Sequence, residues 1–479
     1  MAFGLPALSP TAWITVDRLT QQVLWLILFS ILAPILGPRP YGLFSIVMVF
    51  VGLSEFILIE GSVEALLTVN KLDHLHTTTA NLAGCGIALA FAVVISVSAP
   101  AIALLFHDEE IKYLIWTLAP LPVLSSLSAT PIAVLQRSLQ YKQLAIRSIA
   151  GLTLGGLFGI VLALAGAGVW ALVLQVLAQR IAELTIAWIS VPVRLGFKWS
   201  TIHFRELSPV GKNVFAARAM IFAGGQLPRL ILGYTLGPTE VGLFTLANRF
   251  LDIIVHTVVS PRAAVGRIEL RNAKVGSAEF ELIYSKMVQN VAVLSFPIFF
   301  GAAALAPDLF RVWLDPRWLA GAIPTQLVIL SGLPLVFFYC NDAALLAGNL
   351  STVLKRMANL QTLTLTATVL CAAPFGLDLV CLSLAIRQWV LLPIFLRLFG
   401  RACHMPSYSA LRPSLRSLIG AFLMAAFLYI PYLRPSWRYQ NYNFIGLVVI
   451  GVVFYFIYLY IFAREHLRAL LVDIFFHRI

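Results

Sequence analysis

The string LGPRPYGLFSI, from Leu36 to Ile46, returns two hundred residues later as LGPTEVGLFTL, from Leu236 to Leu246. Leu, Gly, Pro, Gly, Leu and Phe keep their places. Each copy joins one long apolar stretch to the next. Gly-Pro is a turn signal. One such signal recurring at so long a period implies two copies of one helical bundle in a single chain.

Composition then fixes the solvent. The 479 residues are 60% hydrophobic without counting glycine and only 11% charged, against about 25% charged in a soluble domain. Such a chain has no polar shell to cover a core in water. The bilayer is its solvent, and the fold class is an all-α polytopic membrane protein. A spanning helix needs about 20 apolar residues. Fourteen stretches qualify, near 16–36, 41–67, 79–106, 111–135, 146–168, 169–193, 209–235, 239–260, 287–312, 323–347, 356–376, 378–399, 414–432 and 443–463. The joins at 168/169 and 376/378 are short enough to require tight hairpins. Residues 1–15 lack the basic start of a cleavable signal peptide, so the first span is expected to direct insertion itself.

Lysine and arginine set the orientation. With the N-terminus in the cytoplasm, 23 of the 34 fall in inside segments and five within spans. Only Arg39, Lys112, Arg311, Arg317, Arg434 and Arg438 lie outside. Both termini are therefore expected in the cytoplasm. The net charge of +13 reads as this topology signal, with adhesion to anionic membrane lipid. No clustered basic domain stands outside the membrane, which argues against nucleic acid as a partner. The five cysteines show no metal or redox spacing and read as small apolar filler. Asp73-His74-Leu75-His76 contains metal-ligand types, but no other ligand accompanies it in sequence, so a solvated loop and no metal are expected. Asp108-Glu109-Glu110 reads as a solvated outer turn. The stretch 262–286 reads as an amphipathic helix along the membrane surface.

Ionisable residues within spans carry most of the functional information, since each costs about 2.5–3.5 kcal/mol at the helix centre. Arg180 and Glu183, three apart, form a local ion pair on one helical face. Arg249 and Asp252 repeat that spacing, with His256 one turn on, and fit either a structural pair or a polar stripe on a cavity. Arg387 and Asp342 have no opposite charge nearby in sequence and are expected to meet another helix. The seventh span differs. Arg218 and Arg229 are eleven residues apart, nearly on one face, with Gln226 a turn before Arg229 and no acid in the span. Two unpaired guanidiniums on one stripe call for an anion or a watery cavity, and arginine's planar fork suits phosphate oxygens. At the repeat offset Arg218 falls on Arg18, so each half places one arginine near the inner mouth of its first helix. In the second span Glu60 and Glu64 lie one turn apart. Like charges so close raise at least one pKa, which makes Glu60 and Glu64, like Asp252, candidates for coupling.

At these residues the chain resembles a family. QLPRLILGYTLGPTEVGLFTLANRF (Gln226 to Phe250), its counterpart LGPRPYGLFSIVMVFVGL, AVLQRSLQYKQLAIRSIAG (Ala133 to Gly151) and GAGVWALVLQ (Gly166 to Gln175) resemble the polysaccharide flippases of the multidrug/oligosaccharidyl-lipid/polysaccharide (MOP) exporter superfamily. The resemblance implies two pseudo-symmetric six-helix lobes, 1–205 and 206–400, around a central cavity, with an extra helix pair in 401–479. It implies transfer of undecaprenyl-diphosphate-linked oligosaccharide from the inner to the outer leaflet of the bacterial plasma membrane, for exopolysaccharide, capsule or O-antigen assembly. Arg249 stands where the family often carries an arginine, and Glu60-Gly61 looks like its acidic residue before glycine. Relatives often read Gln-Ile-Asp-Arg where this chain has Gln226-Leu227-Pro228-Arg229. The acid is missing, so the resemblance carries no cation coupling to that position.

The expected mechanism has the sugar–diphosphate head passing Arg18 and Arg218 and held mid-membrane by Arg229, Gln226 and Arg249, while the lobes rock. No bond is made or broken, so no catalytic residue, cofactor or enzyme activity is expected. Polysaccharide polymerase and glycosyltransferases are the expected protein partners. The alternatives are a cation-coupled drug antiporter of the same superfamily, a flippase for the peptidoglycan precursor, and a membrane polysaccharide polymerase.

Overall fold

The computed structural model describes residues 9–69, 72–191, 196–406, 411–429 and 444–462, side chains at 11, 53–60, 210–221, 223, 224 and 413 excepted. Every regular element among them is helical. By contacts the chain divides into two compact units, Met1–Gly242 and Leu243–Ile479. The first holds α1 (Pro10–Leu36), α2 (Pro38–Thr68), α3 (His74–Leu105), α4 (Glu110–Leu118), α5 (Leu121–Arg137), α6 (Tyr141–Leu164), α7 (Val169–Ile189), α8 (Thr201–Thr235) and the start of α9 (Pro238–Ile254). The second holds the rest of α9, then α10 (Ser260–Leu270), α11 (Ala278–Trp313), α12 (Ala322–Leu330), α13 (Gly332–Ala347), α14 (Ser351–Ala372), α15 (Leu377–Cys403), α16 (Leu411–Tyr429) and α17 (Phe444–Phe462).

The repeated turn has one geometry in both copies. Gly37 and Gly237 take φ of +79° and +90°, a region that side chains other than glycine's resist. Pro38 and Pro238 follow as the first residues of α2 and α9, where a missing N–H costs nothing. The second glycine of each copy serves the other copy. A methyl group on Gly42 would overlap the carbonyl of Pro238, and one on Gly242 would overlap that of Pro38. The two helix starts therefore cross backbone to backbone, related by the pseudo-symmetry of the repeat.

Capping sets several other helix starts. Ser9, Asp73 and Ser277 accept backbone N–H bonds at the starts of α1, α3 and α11, satisfying groups a helix leaves open. Small residues let helices approach where lipid supplies no hydrophobic drive. Gly151, Gly155 and Gly159 of α6 lie against Glu183, Gln179 and Gln175 of α7, and Gly156 lies against Leu28 of α1. α2 packs on α5 and α8, with Leu66, Ala129, Ala133 and Leu207 in one buried cluster. In the second unit α11 packs on α10, α12, α13, α16 and α17.

Among the described residues, ten helical stretches are long and apolar enough to cross a membrane. The other four expected spans fall on α2, α8, α14 and α16. α14 is the most polar of these, with Lys355, Arg356, Asn359, Gln361 and five threonines. Both expected hairpins form: Gly166 and Gly168 turn α6 into α7, and Gly376, at φ +100°, turns α14 into α15. Two of the ten stretches, Glu110–Arg137 and Pro316–Ala347, carry interior interruptions. The first is interrupted at Ala119–Pro120 between α4 and α5. The second runs through a 3-10 turn, Pro316–Gly321, then α12 and α13, with a break at Ser331. By contacts α8 packs on α2 and α3, within the first unit. The expected surface helix over 262–286 is absent. α10 continues the preceding span to Leu270, and Gly276 (φ +81°) with the Ser277 cap starts α11.

The expected ion pair in α7 belongs to a larger network. Arg180 Nη1 donates to Glu183 Oε2 at 2.8 Å, and Gln179 Nε2 donates to Oε1 at 2.8 Å. Arg147 of α6 approaches the same carboxylate at 4.0 Å. Next to Arg147, Ser148 donates to Asp17 Oδ1 at 2.6 Å, which also accepts from Gln21. The acidic outer turn is paired too: Arg39 reaches Asp108 at 2.7 Å and Glu110 at 3.5 Å.

Gly42→Ala and Gly242→Ala should each destabilise the fold by about 1–3 kcal/mol through overpacking against backbone. Gly86→Ala, with open space around it, should stay within about 0.5 kcal/mol. Thermal unfolding in detergent separates them, and equal midpoints for all three would refute the crossing. Glu183→Ala leaves Arg147 and Arg180 without their carboxylate and should cost about 3–5 kcal/mol, read as a lowered unfolding midpoint relative to the parent, and Glu183→Gln, which keeps the shape but not the charge, should be lowered too.

Candidate functional site

The candidate anion-binding residues sit on α1, α8 and α9. Arg229 lies near the end of α8, directly after Pro228, which interrupts the helix's own hydrogen bonding. Its Nη1 donates to Gln226 Oε1 one turn earlier. The sequence left this guanidinium unpaired; the structure gives it an amide partner on its own helix, because three-residue spacing brings the two side chains to one face. Arg229 and Gln226 are both half-buried. Arg18 is exposed near the start of α1. The side chains of Arg218 and Glu60 lie outside the described residues. Glu64 is exposed in the last turns of α2.

In the second unit, half-buried Arg249 feels the charge of Asp252, one turn along α9. Tyr339 of α13 stands within electrostatic reach of both Asp252 and Asp342. Asp342 lies one turn from Tyr339 on the same helix, whereas the reach of Asp252 to it could not be read from the sequence. A π-helical turn, Val255–Val259, follows immediately and carries exposed His256. Such turns shift helix register locally and are frequent at functional sites.

The buried Arg387 of α15 is tied to the facing helix, as expected. Its Nη1 donates to the Gln361 carbonyl at 3.1 Å and to Thr364 Oγ1 at 3.2 Å. Both partners are neutral, so the group is held without an ion pair among the described residues. Behind α11, an apolar cavity of about 430 Å³ is lined by Phe250, Pro297, Leu305, Met424, Val448 and Tyr455 among others. The Tyr455 hydroxyl donates to the Val293 carbonyl at 2.9 Å, and Thr325 adds a second hydroxyl to an otherwise apolar lining. The sequence marked α16 and α17 only as an extra pair.

At the opposite end of the first unit a polar cluster forms where none was expected. Asp73 caps α3 by accepting the His76 N–H at 2.8 Å. That bond, with the His76 and His203 rings, holds the Asp73 carboxyl below the usual carboxylate range. His203 and Glu206 of α8 stand beside it. Asp73-His74-Leu75-His76 is therefore not an isolated solvated loop. Segment 196–200 lies over the start of α3, with Ser200 N donating to Thr79 Oγ1 at 3.2 Å and Gly196 against His74. That docking brings α8's first turns to His76.

Known proteins fit this architecture. The Succinoglycan biosynthesis transport protein ExoT of Rhizobium meliloti (strain 1021) is 26% identical over 314 residues, 64% of this chain and 62% of that protein. The Teichuronic acid biosynthesis protein TuaB of Bacillus subtilis (strain 168) is 21% identical over 265 residues, 53% of each. The chain thus spans less than two thirds of either relative. The fold is similar to that of the Lipid II flippase MurJ in an inward closed conformation, with a TM-score of 0.75 and 14% identity, covering 94% of this chain and 98% of that one. It is also similar to a multidrug resistance MATE family transporter of the MOP superfamily, inward-facing, with a TM-score of 0.58 and 14% identity over 88% of this chain and 99% of that one. Residues 31–323, more than half of the sequence and both copies of the LGP turn, match the polysaccharide biosynthesis protein family, and the chain belongs to that family.

Proposed function

We propose that this protein carries an undecaprenyl-diphosphate-linked oligosaccharide from the inner to the outer leaflet of a bacterial inner membrane, by alternating access of two lobes around a central cavity. The observation that carries this reading is the family match over residues 31–323 on a chain built of serial apolar helices. Fourteen crossings with both termini in the cytoplasm complete the topology. The sugar–diphosphate head enters past Arg18 and Arg218. Arg229, oriented by Gln226, and Arg249 then hold the diphosphate mid-membrane. A guanidinium fixed in one orientation offers a planar fork that matches phosphate oxygens. The apolar cavity against α16 and α17 has a lining suited to a stretch of hydrocarbon tail. Delivery to a polysaccharide polymerase, after assembly by glycosyltransferases, places the step in exopolysaccharide, capsule or O-antigen production.

A diphosphate with about two negative charges gains roughly 4–5 kcal/mol on leaving an inside-negative cell at 100 mV. This charge movement is the drive we favour, with Asp252, Glu60 and Glu64 as the acids available for coupling to a cation. A second reading, cation-coupled antiport, draws on Asp252 and Asp342 around Tyr339. Efflux of a small organic cation from vesicles, driven by a proton or sodium gradient, would favour it.

In proteoliposomes holding a labelled polyprenyl-diphosphate sugar, Arg229→Ala should slow translocation at least about tenfold, the loss expected for a charge-assisted hydrogen bond, while the protein still inserts. Normal translocation by this variant would refute the anion site. Imposing an inside-negative potential should accelerate outward movement, and a rate indifferent to potential would exclude the electrical drive.

A further inference from the structure

We propose that Asp73, His76, His203 and Glu206 form a binding site for a divalent transition metal of the zinc class, which staples the start of α8 to the start of α3. A ligand atom from each of Asp73, His76 and His203 lies within 4.8 Å of the other two. Glu206 Oε2 stands 3.2 Å from His76 Nε2, and Asp73 Oδ2 stands 3.5 Å from His203 Nε2. Tetrahedral zinc with bonds of about 2.0–2.1 Å separates its ligand atoms by about 3.4 Å. The two observed pairs each have the separation of one edge of such a tetrahedron, and side-chain rotation has to bring Glu206 to the other three ligands.

The ring nitrogens that would not touch the ion are already engaged. His76 Nδ1 faces Asp73 Oδ1 at 2.7 Å, and His203 Nδ1 faces Ser200 Oγ at 2.5 Å. A metal-binding histidine is characteristically oriented this way, with its second nitrogen bonded to a carboxylate or other acceptor that fixes the tautomer and leaves Nε2 to the ion. Both Nε2 atoms here point toward a carboxylate oxygen, and the rings meet edge to face with centroids 4.1 Å apart. Two imidazoles and two carboxylates form a neutral set around a divalent ion. Nitrogen and oxygen donors without thiolate suit zinc and its neighbours in the first transition row. His76 is buried, whereas Asp73 and Glu206 are exposed, so the ion has both an anchored side and an entry path.

The test uses the full chain in detergent, purified with a tag that contains no histidine and titrated with Zn²⁺ alone against a competing chelator. The parent should bind one Zn²⁺ per chain and unfold at a higher temperature with the ion than without it. His76→Ala and His203→Ala should each lose this stoichiometric binding and the thermal shift. Ser200→Ala should keep the stoichiometry but weaken affinity about tenfold, as loss of an orienting partner does. A parent that binds no more Zn²⁺ than the double-histidine variant overturns the proposal. So does a cluster whose stability follows pH but ignores Zn²⁺, which is histidine–carboxylate pairing alone. If the alanine variants do not fold, X-ray absorption on the zinc-loaded parent decides. Two imidazole shells with oxygen support the site, and an all-oxygen shell overturns it.

Discussion

The carbonyls of Pro38 and Pro238 rest on the α-carbons of Gly242 and Gly42. In water such a crossing would be one contact among many. In a bilayer, hydrocarbon surrounds every helix whether or not it is packed, so association rests on close fit and on polar groups that need partners. A backbone crossing without side chains between is the tightest fit available, and it fixes the register of α2 against the start of α9. Other placements follow from it. Arg39, next to Pro38, reaches Asp108 and Glu110 at the head of α4. Gly233, just before the second copy, lies against Ile46 and Phe106, so α8 arrives alongside α2 before the turn.

The chain meets the cost of charge within helices in two ways. Around Glu183, charge is balanced by charge, with Arg180 on the same helix and Arg147 on the next. Around Arg387 it is balanced by dipoles, a backbone carbonyl and a threonine hydroxyl on α14. The first solution is electrostatic and holds a fixed structure. The second holds Arg387 through neutral groups among the described residues, and the Gln226 amide likewise orients Arg229 on its own helix.

Local signals in the sequence carried over well. Hydropathy located the helices because each depends mainly on its own composition, and Gly166, Gly168 and Gly376 marked the hairpins because a tight reversal needs their backbone freedom. The Arg180–Glu183 spacing revealed its ion pair for the same local reason. What distance in sequence conceals is different. Arg147 joins the Glu183 network only because α6 packs on α7. Asp252, far from Tyr339 in the chain, comes within its electrostatic reach only through the fold. Glu206 lies 130 positions from His76, and only the docking of 196–200 on α3 brings them together. The surface helix expected over 262–286 failed because mixed polar and apolar residues there belong to the ends of two long helices, with Gly276 reversing the chain between them.

These strands converge on α8. Its first turn contributes His203 and Glu206 to the cluster on α3, and its last turns run into the glycine crossing on α2. A 35-residue helix fixed at both ends within one unit can change shape only between them. Pro209 and Pro228 lie inside it, and each removes a backbone donor and crowds the preceding turn. Bending therefore concentrates at these two points rather than spreading along the helix.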